Sequence, residues 1–185
     1  KETMLFVPYR VNKNNEHWRW LSHVFVHANW SHLLINMWVF YTFVGHVENS
    51  FQSYFDHYHI IFVLFLIVAA VASSAMDFSK NKENTAYASL GASGVVASVL
   101  FVYIVLFPTS PLQFIFLPGV DIPAFVIGVL YLLYEYKMRQ KQDGIAHDAH
   151  IFGAIFGILT PLVLDPNLYV RFVSSIGFWI QNIFS

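Results

Sequence analysis

Five apolar runs, at residues 33–45, 58–76, 91–107, 122–134 and 149–164, dominate the chain from residue 33 onward. A helix that crosses a bilayer needs ~20 mostly apolar residues. Several of these runs are shorter, so they require tilt, local thinning or extension into the interface. Composition agrees with a membrane setting: 57% of the 185 residues are hydrophobic and 11% are charged, against roughly 25% charged in a soluble domain. The expected fold class is all-α, a polytopic membrane helical bundle of about five spanning helices.

The segments between the runs, HVENSFQSYFDH, DFSKNKENTAYAS, PTSPLQFIFLPGVD and EYKMRQKQDGIAHD, carry the charged, Pro and Gly residues of connections. Residues 1–30 are polar but rich in aromatics (Trp18, Trp20, Phe25, Trp30), which suits an interfacial loop region before the first span. Residues 31–164 form the membrane domain. Residues 165–185 read as an interfacial amphipathic segment. There Arg171, Ser174, Ser175 and Asn182 fall on one side, and Phe172, Val173, Ile176 and Ile183 on another. A net charge of -1 without a basic cluster argues against a nucleic-acid partner. The lack of cysteine excludes disulfides, thiolate metal sites and cysteine nucleophiles. The opening KETMLF has no signal-peptide pattern, and a start at Lys1 suggests missing upstream sequence.

If each run crosses once, the first, third and fifth begin on the same membrane face. His32 and Asn36 lie in the opening turns of the first, Ser93 is third in the third, and His150 is second in the fifth. Polar and ionisable groups in a membrane are costly and tend to be functional. Taken singly, each has an ordinary explanation: glycine and serine are common in membrane helices, a histidine at a helix start caps or faces the interface, and Asn36 could join two helices. Their shared depth on one face points to chemistry. A serine hydroxyl becomes a nucleophile when an adjacent neutral imidazole takes its proton, and Ser93 and His150 supply that pair. Gly91, Ala92 and Gly94 leave room for a substrate carbonyl. The Ser93 amide, the Asn36 amide and the His32 ring are donors for a developing oxyanion, with His32 and Asn36 four apart on one helix face.

Gly153 and Gly157 make a small-xxx-small pattern on the side of His150. Packing of that face against Gly94 and Ala97 would bring His150 to Ser93, with Ala154 rotated about 100° away. His23 and His27 are expected in structural hydrogen bonds rather than on a metal. Asp148, two residues before His150, is expected to point away and is not assigned as a triad acid.

The chain resembles the rhomboid intramembrane serine proteases. The resemblance rests on Trp18-Arg19, HANWSHLLIN (His27, His32, Asn36), Glu48, GASG (Gly91 to Gly94) and AHIFGAIFG (Ala149 to Gly157). It implies Ser93 as nucleophile and His150 as base in a Ser-His dyad without an acid. Asn36, His32 and the Ser93 amide would form the oxyanion hole, Trp18 and Arg19 a bracing loop, and His27 and Glu48 structural supports. The implied partners are membrane lipid and transmembrane protein substrates, cut after a small residue near the membrane edge, with no metal or cofactor. A rhomboid-like pseudoprotease that binds clients without cutting is the alternative; it would be expected to have lost Ser93 or His150.

Three departures stand out. The family's first helix, which precedes the Trp-Arg loop, is absent from this sequence. Ala97 stands where family members often carry an aromatic against the catalytic histidine. The resemblance implies a multi-pass protein of a bacterial cytoplasmic membrane with its catalytic face external, whereas nine of the ten basic residues, all but Arg171, fall at the Ser93 end. The positive-inside rule would turn that end to the cytoplasm.

Overall fold

The computed structural model describes residues 2–113, 119–141 and 143–183. Two short helices, α1 (Pro8–Asn14) and α2 (Arg19–Ser22), open the chain. The bundle follows as α3 (Trp30–Phe51), α4 (Tyr58–Asn81), α5 (Ser93–Leu106), α6 (Ala124–Met138) and α7 (His147–Leu164), closed by α8 (Asn167–Ile183). Before α6, two-residue strands β1 (Pro111–Leu112) and β2 (Ile122–Pro123) pair antiparallel, with Leu112 opposite Ile122. The first apolar run is extended at both ends: Asn29 caps α3 by accepting the His32 amide at 2.8 Å, satisfying one of the unpaired donors of the first turn.

By length and composition α4 and α7 are long and apolar enough to cross a membrane, and α5 is a shorter apolar helix. The outer surface is apolar as well. Leu34, Ile35 and Trp38 on α3, Ile60 and Val63 on α4, Leu133 on α6 and Val163 on α7 are all exposed, which is the distribution expected where the surrounding solvent is hydrocarbon. The chain forms a helical membrane bundle.

At its centre stands α5, whose residues 94–105 are all buried. A helix that is apolar all round has no solvent face to offer, and α3, α4, α6 and α7 surround it. The contact with α7 is the closest. A Cβ on Gly153 would fall inside contact distance of the Gly94 carbonyl oxygen, and one on Gly157 inside that of the Ser98 carbonyl. Ser98 Oγ lies 2.9 Å from the carbonyl oxygens of both Gly94 and Gly153, its one hydrogen shared between them, so a hydroxyl fills the seam. Two expectations change here. Gly94 and Ser98, one turn apart, face the glycines of α7 where Gly94 and Ala97 were expected. Ala154 lies in the core rather than outside the contact, because α7 packs against α4 as well as α5.

The opening segment is locked by buried polar groups. Arg19, 2% exposed, donates through Nε to Glu16 at 2.5 Å and through a terminal nitrogen to the Leu5 carbonyl at 2.6 Å, while Trp18 lies exposed beneath its guanidinium. His23 Nδ1 lies 2.9 Å from the Arg19 carbonyl, so it carries the proton, and Nε2 is left to accept from Ser74 Oγ on α4 at 3.2 Å. At the opposite end of the bundle Glu48 meets His59 Nδ1 at 2.7 Å, joining α3 to α4.

Burial holds His23 below the ordinary imidazole range, against the opposing pull of the Arg19 carbonyl. The folded protein therefore resists a proton that the unfolded chain accepts near pH 6.5. Stability falls as pH drops through that value. Melting in detergent is expected to shift down between pH 7.5 and 5.5, and His23→Gln is expected to flatten that dependence; an unchanged slope would remove His23 from the acid sensitivity. For the seam, overpacking typically costs about 1–3 kcal/mol. Gly153→Val meets backbone rather than a flexible side chain, so a loss at or above the top of that range is expected. Gly45, with nothing within 4 Å of its Cβ position, is the control: Gly45→Val should leave the melting temperature nearly unchanged. Equal melting of the two variants would mean that the helices do not approach through Gly153.

Candidate active site

Gly91 has φ +112°, a left-handed conformation that glycine adopts without a Cβ penalty. Its amide donates to the His23 carbonyl at 3.0 Å, which ties the end of the α4–α5 connection to the opening segment. A Cβ at Gly91 would lie 2.8 Å from the His32 ring. The glycine is thus required both by its backbone and by the closeness of α3. After this turn Ser93 is the first residue of α5, and its N–H has no carbonyl a turn earlier to meet. Gly94 must also be small: a Cβ there would stand 2.5 Å from Ser73 Cβ and 3.2 Å from the Ala149 carbonyl.

His150, the fourth residue of α7, is brought by the glycine seam to Ser93: Nε2 to Oγ is 2.7 Å. Nδ1 of His150 lies 3.0 Å from Glu135 Oε1 on α6. The expectation of a Ser-His pair without an acid therefore differs from the geometry, in which a buried carboxylate backs the histidine. The other oxygen of Glu135 is 2.5 Å from His147 Nδ1, and His147 Nε2 is 3.3 Å from Asp143 Oδ2. Asp148 points elsewhere, toward Lys80 at 2.5 Å and Arg139 at 3.3 Å. Where an aromatic was looked for in place of Ala97, His150 instead has the Glu135 carboxylate and the edge of the His147 ring, 6.1 Å between centroids.

On the α3 side, His32 lies against Gly91, and its ring meets His27 edge-on at 5.1 Å. A cavity of about 350 Å³ bounded by Phe25, His27, Ala28, Asn29, Trp30 and Leu33 adjoins this corner. Asn36, one turn after His32, is 5% exposed, and its Nδ2 has no hydrogen-bond partner. A buried donor left unmade costs about 1–3 kcal/mol, so an idle amide in this position calls for an explanation. His27 Nε2 is in the same condition, and burial holds His27 below the ordinary imidazole range.

Glu135 and His147 are the residues that sequence reasoning missed. Glu135 directly follows the apolar run ending at residue 134, in a segment read as a connection, whereas α6 continues to Met138. A helical count would have found it: Ala124, Gly128, Tyr131 and Glu135 recur at the spacing of one face, and Gly128 and Tyr131 meet Phe101 of α5. His147 and His150, three apart, share a face of α7. Glu135, His147 and His150 offer ligand atoms within 4.8 Å of one another and could hold a metal ion; as the structure stands, hydrogen bonds among them use those atoms.

The comparisons with known proteins point the same way. The chain matches the family described as Rhomboid domain over residues 14–167. It is 32% identical over 97 residues to the rhomboid protease GlpG of Haemophilus influenzae, a match covering 52% of this chain and 45% of that relative. The matched segment thus spans less than half the length of that relative. The family match extends across all five bundle helices, including the GASG turn and the glycine seam, and the chain is an integral membrane protein that belongs to the rhomboid family.

Proposed function

We propose that this protein is an intramembrane serine endopeptidase that cuts transmembrane-helix substrates near the membrane edge. The observation that carries the reading is the 2.7 Å approach of His150 Nε2 to Ser93 Oγ at one end of an apolar bundle. Two helix starts meet there across a seam too tight for any side chain at Gly153.

The reaction runs in two halves. Ser93 Oγ attacks the scissile carbonyl carbon while its proton passes to His150 Nε2, and the carbonyl oxygen becomes an oxyanion. The Ser93 amide, the idle Asn36 Nδ2 and the His32 ring are its donors; preorganised groups aimed at charge that develops only in the transition state contribute most. As the C–N bond breaks, His150 returns the proton to the leaving amine. Water then attacks the acyl-Ser93 ester with His150 again as base, releasing the second product and restoring the hydroxyl. Resemblance to the family supports cleavage after a small residue, where the substrate helix unwinds. The Ser93 end is assigned to the external face of a bacterial cytoplasmic membrane on the same ground. Residues 1–30 and 165–185 are read as interfacial segments flanking the catalytic domain. For the latter, α8 rests Phe172 on the core and Trp179 on Phe125.

Ser93→Ala and His150→Ala are each expected to abolish cleavage of a transmembrane substrate and labelling by a serine-directed phosphonate. The double variant should be little worse than either, because the two act as a unit. Parent-like turnover by Ser93→Ala would overturn the assignment. For Asn36→Ala, loss of one oxyanion donor predicts about 10²–10³ in kcat with substrate binding nearly unchanged; weakened binding at an unchanged rate would make Asn36 structural.

A further inference from the structure

A serine made nucleophilic by histidine works only if the histidine presents a bare nitrogen. Which nitrogen of His150 carries the proton is decided by what faces the other one. Glu135, 4% exposed at the last turn of α6, faces Nδ1 with one oxygen and His147 Nδ1 with the other. An ionised carboxylate only accepts, so both Nδ1 atoms carry hydrogen. His150 is then the Nδ1–H tautomer, and its Nε2 lone pair points at Ser93 Oγ. In the opposite tautomer Nε2–H would point at the serine and could not take its proton.

His147 supplies the counter-charge. Its two ring nitrogens face carboxylates, Glu135 on one side and Asp143 on the other. With both acids ionised it donates from both nitrogens, as an imidazolium. A lone carboxylate this deep would be expensive, but one shared between an imidazolium and the Nδ1–H of His150 has both oxygens satisfied and cannot rotate. We propose that Glu135, clamped by His147, is the positioning residue that fixes the tautomer and ring plane of His150, so that Ser93, His150 and Glu135 act as a triad. The proposal rests on the serine-protease reading above.

The test uses the full chain in detergent, with Glu135→Gln as the probing variant. Glutamine matches glutamate in size, but it must either turn its NH₂ toward His150, enforcing the wrong tautomer, or keep an acceptor there without charge. In a Ser-His-acid triad the amide substitution costs up to about 10⁴ in kcat. Here a loss of about 100-fold or more in kcat is expected, with KM within about twofold and the melting temperature little changed. Nitrogen-15 NMR of the imidazoles, with His150 assigned by its loss in His150→Ala, is expected to show the Nδ1–H tautomer in the parent. Glu135→Gln should show its depletion.

Two results would overturn the proposal. One is Ser93-dependent cleavage by the parent with Glu135→Gln within threefold of it in kcat. The other, which holds even if Glu135→Gln does not fold, is an Nε2–H tautomer at His150 in the parent. An Nδ1–H tautomer in a parent that shows no Ser93-dependent cleavage would instead count against the protease reading and leave the role of Glu135 in orienting His150 supported.

Discussion

Everything at the Ser93 end of the bundle depends on how closely the backbones of α5 and α7 approach. Between membrane helices there is no water to expel, so association rests on packing and interhelical hydrogen bonds. Gly94, Gly153 and Gly157 remove the side chains that would hold the two helices apart, and the one Ser98 hydroxyl hydrogen lies between a carbonyl of each helix. This seam sets the distance between the two helix starts, and so the 2.7 Å between Ser93 and His150. Because α5 is buried on all sides, it is held by α3, α4, α6 and α7 together. Ser93 is therefore placed by the whole bundle rather than by a loop.

The opening turns of three helices were readable from the chain because alternate crossings put alternate helix starts on one face. That logic singled out Ser93, His150, His32 and Asn36, and the helix starts do carry His150 to within 2.7 Å of Ser93. It failed where a helix outruns its apolar stretch. Glu135 stands one residue past the fourth run, and a carboxylate there looks like the start of a connection. Only the neighbours supplied by α7 make it affordable to bury. Ala97 and Ala154 illustrate a second limit: both are small, and their sequence does not reveal which of two packed faces each occupies. Ser98 rather than Ala97 stands at the seam, where its one hydroxyl hydrogen lies between the Gly94 and Gly153 carbonyls.

Charge at the Ser93 end is less lopsided in space than in the count of basic residues. Lys80 and Arg139 share Asp148, Lys13 meets Glu83 and Arg19 meets Glu16. These pairs sit where the opening segment, α4, α6 and α7 converge, so part of the basic excess that conflicts with an external face is engaged in holding the helix ends together. Pairs exposed on both sides, such as Lys13–Glu83, contribute little to stability singly, about 0–1 kcal/mol; the buried Arg19–Glu16 pair and the part-buried pairs of Asp148 are a different case. Their effect here is positional, since Asp148 is held by Lys80 and Arg139 and leaves the Nδ1 side of His150 to Glu135.

That division of acids matters for the charge balance of the proposed reaction. Before attack, Glu135 and Asp143 carry two negative charges, His147 one positive and His150 none, so the cluster holds a net single negative charge beside a neutral serine. When His150 takes the proton the cluster becomes neutral, and the negative charge appears on the oxyanion instead, beside Asn36, His32 and the Ser93 amide. The total is unchanged. In apolar surroundings, where separated charges interact strongly and are poorly solvated, creating a new ion pair would be the expensive step. The proton transfer forms that pair in either case; a carboxylate that keeps its charge beside Nδ1 offsets the imidazolium as it appears, and the waiting donors offset the oxyanion. A bare Ser-His pair would form its imidazolium with no counter-charge beside it, whereas in the proposed network the Glu135 carboxylate faces Nδ1 from the start.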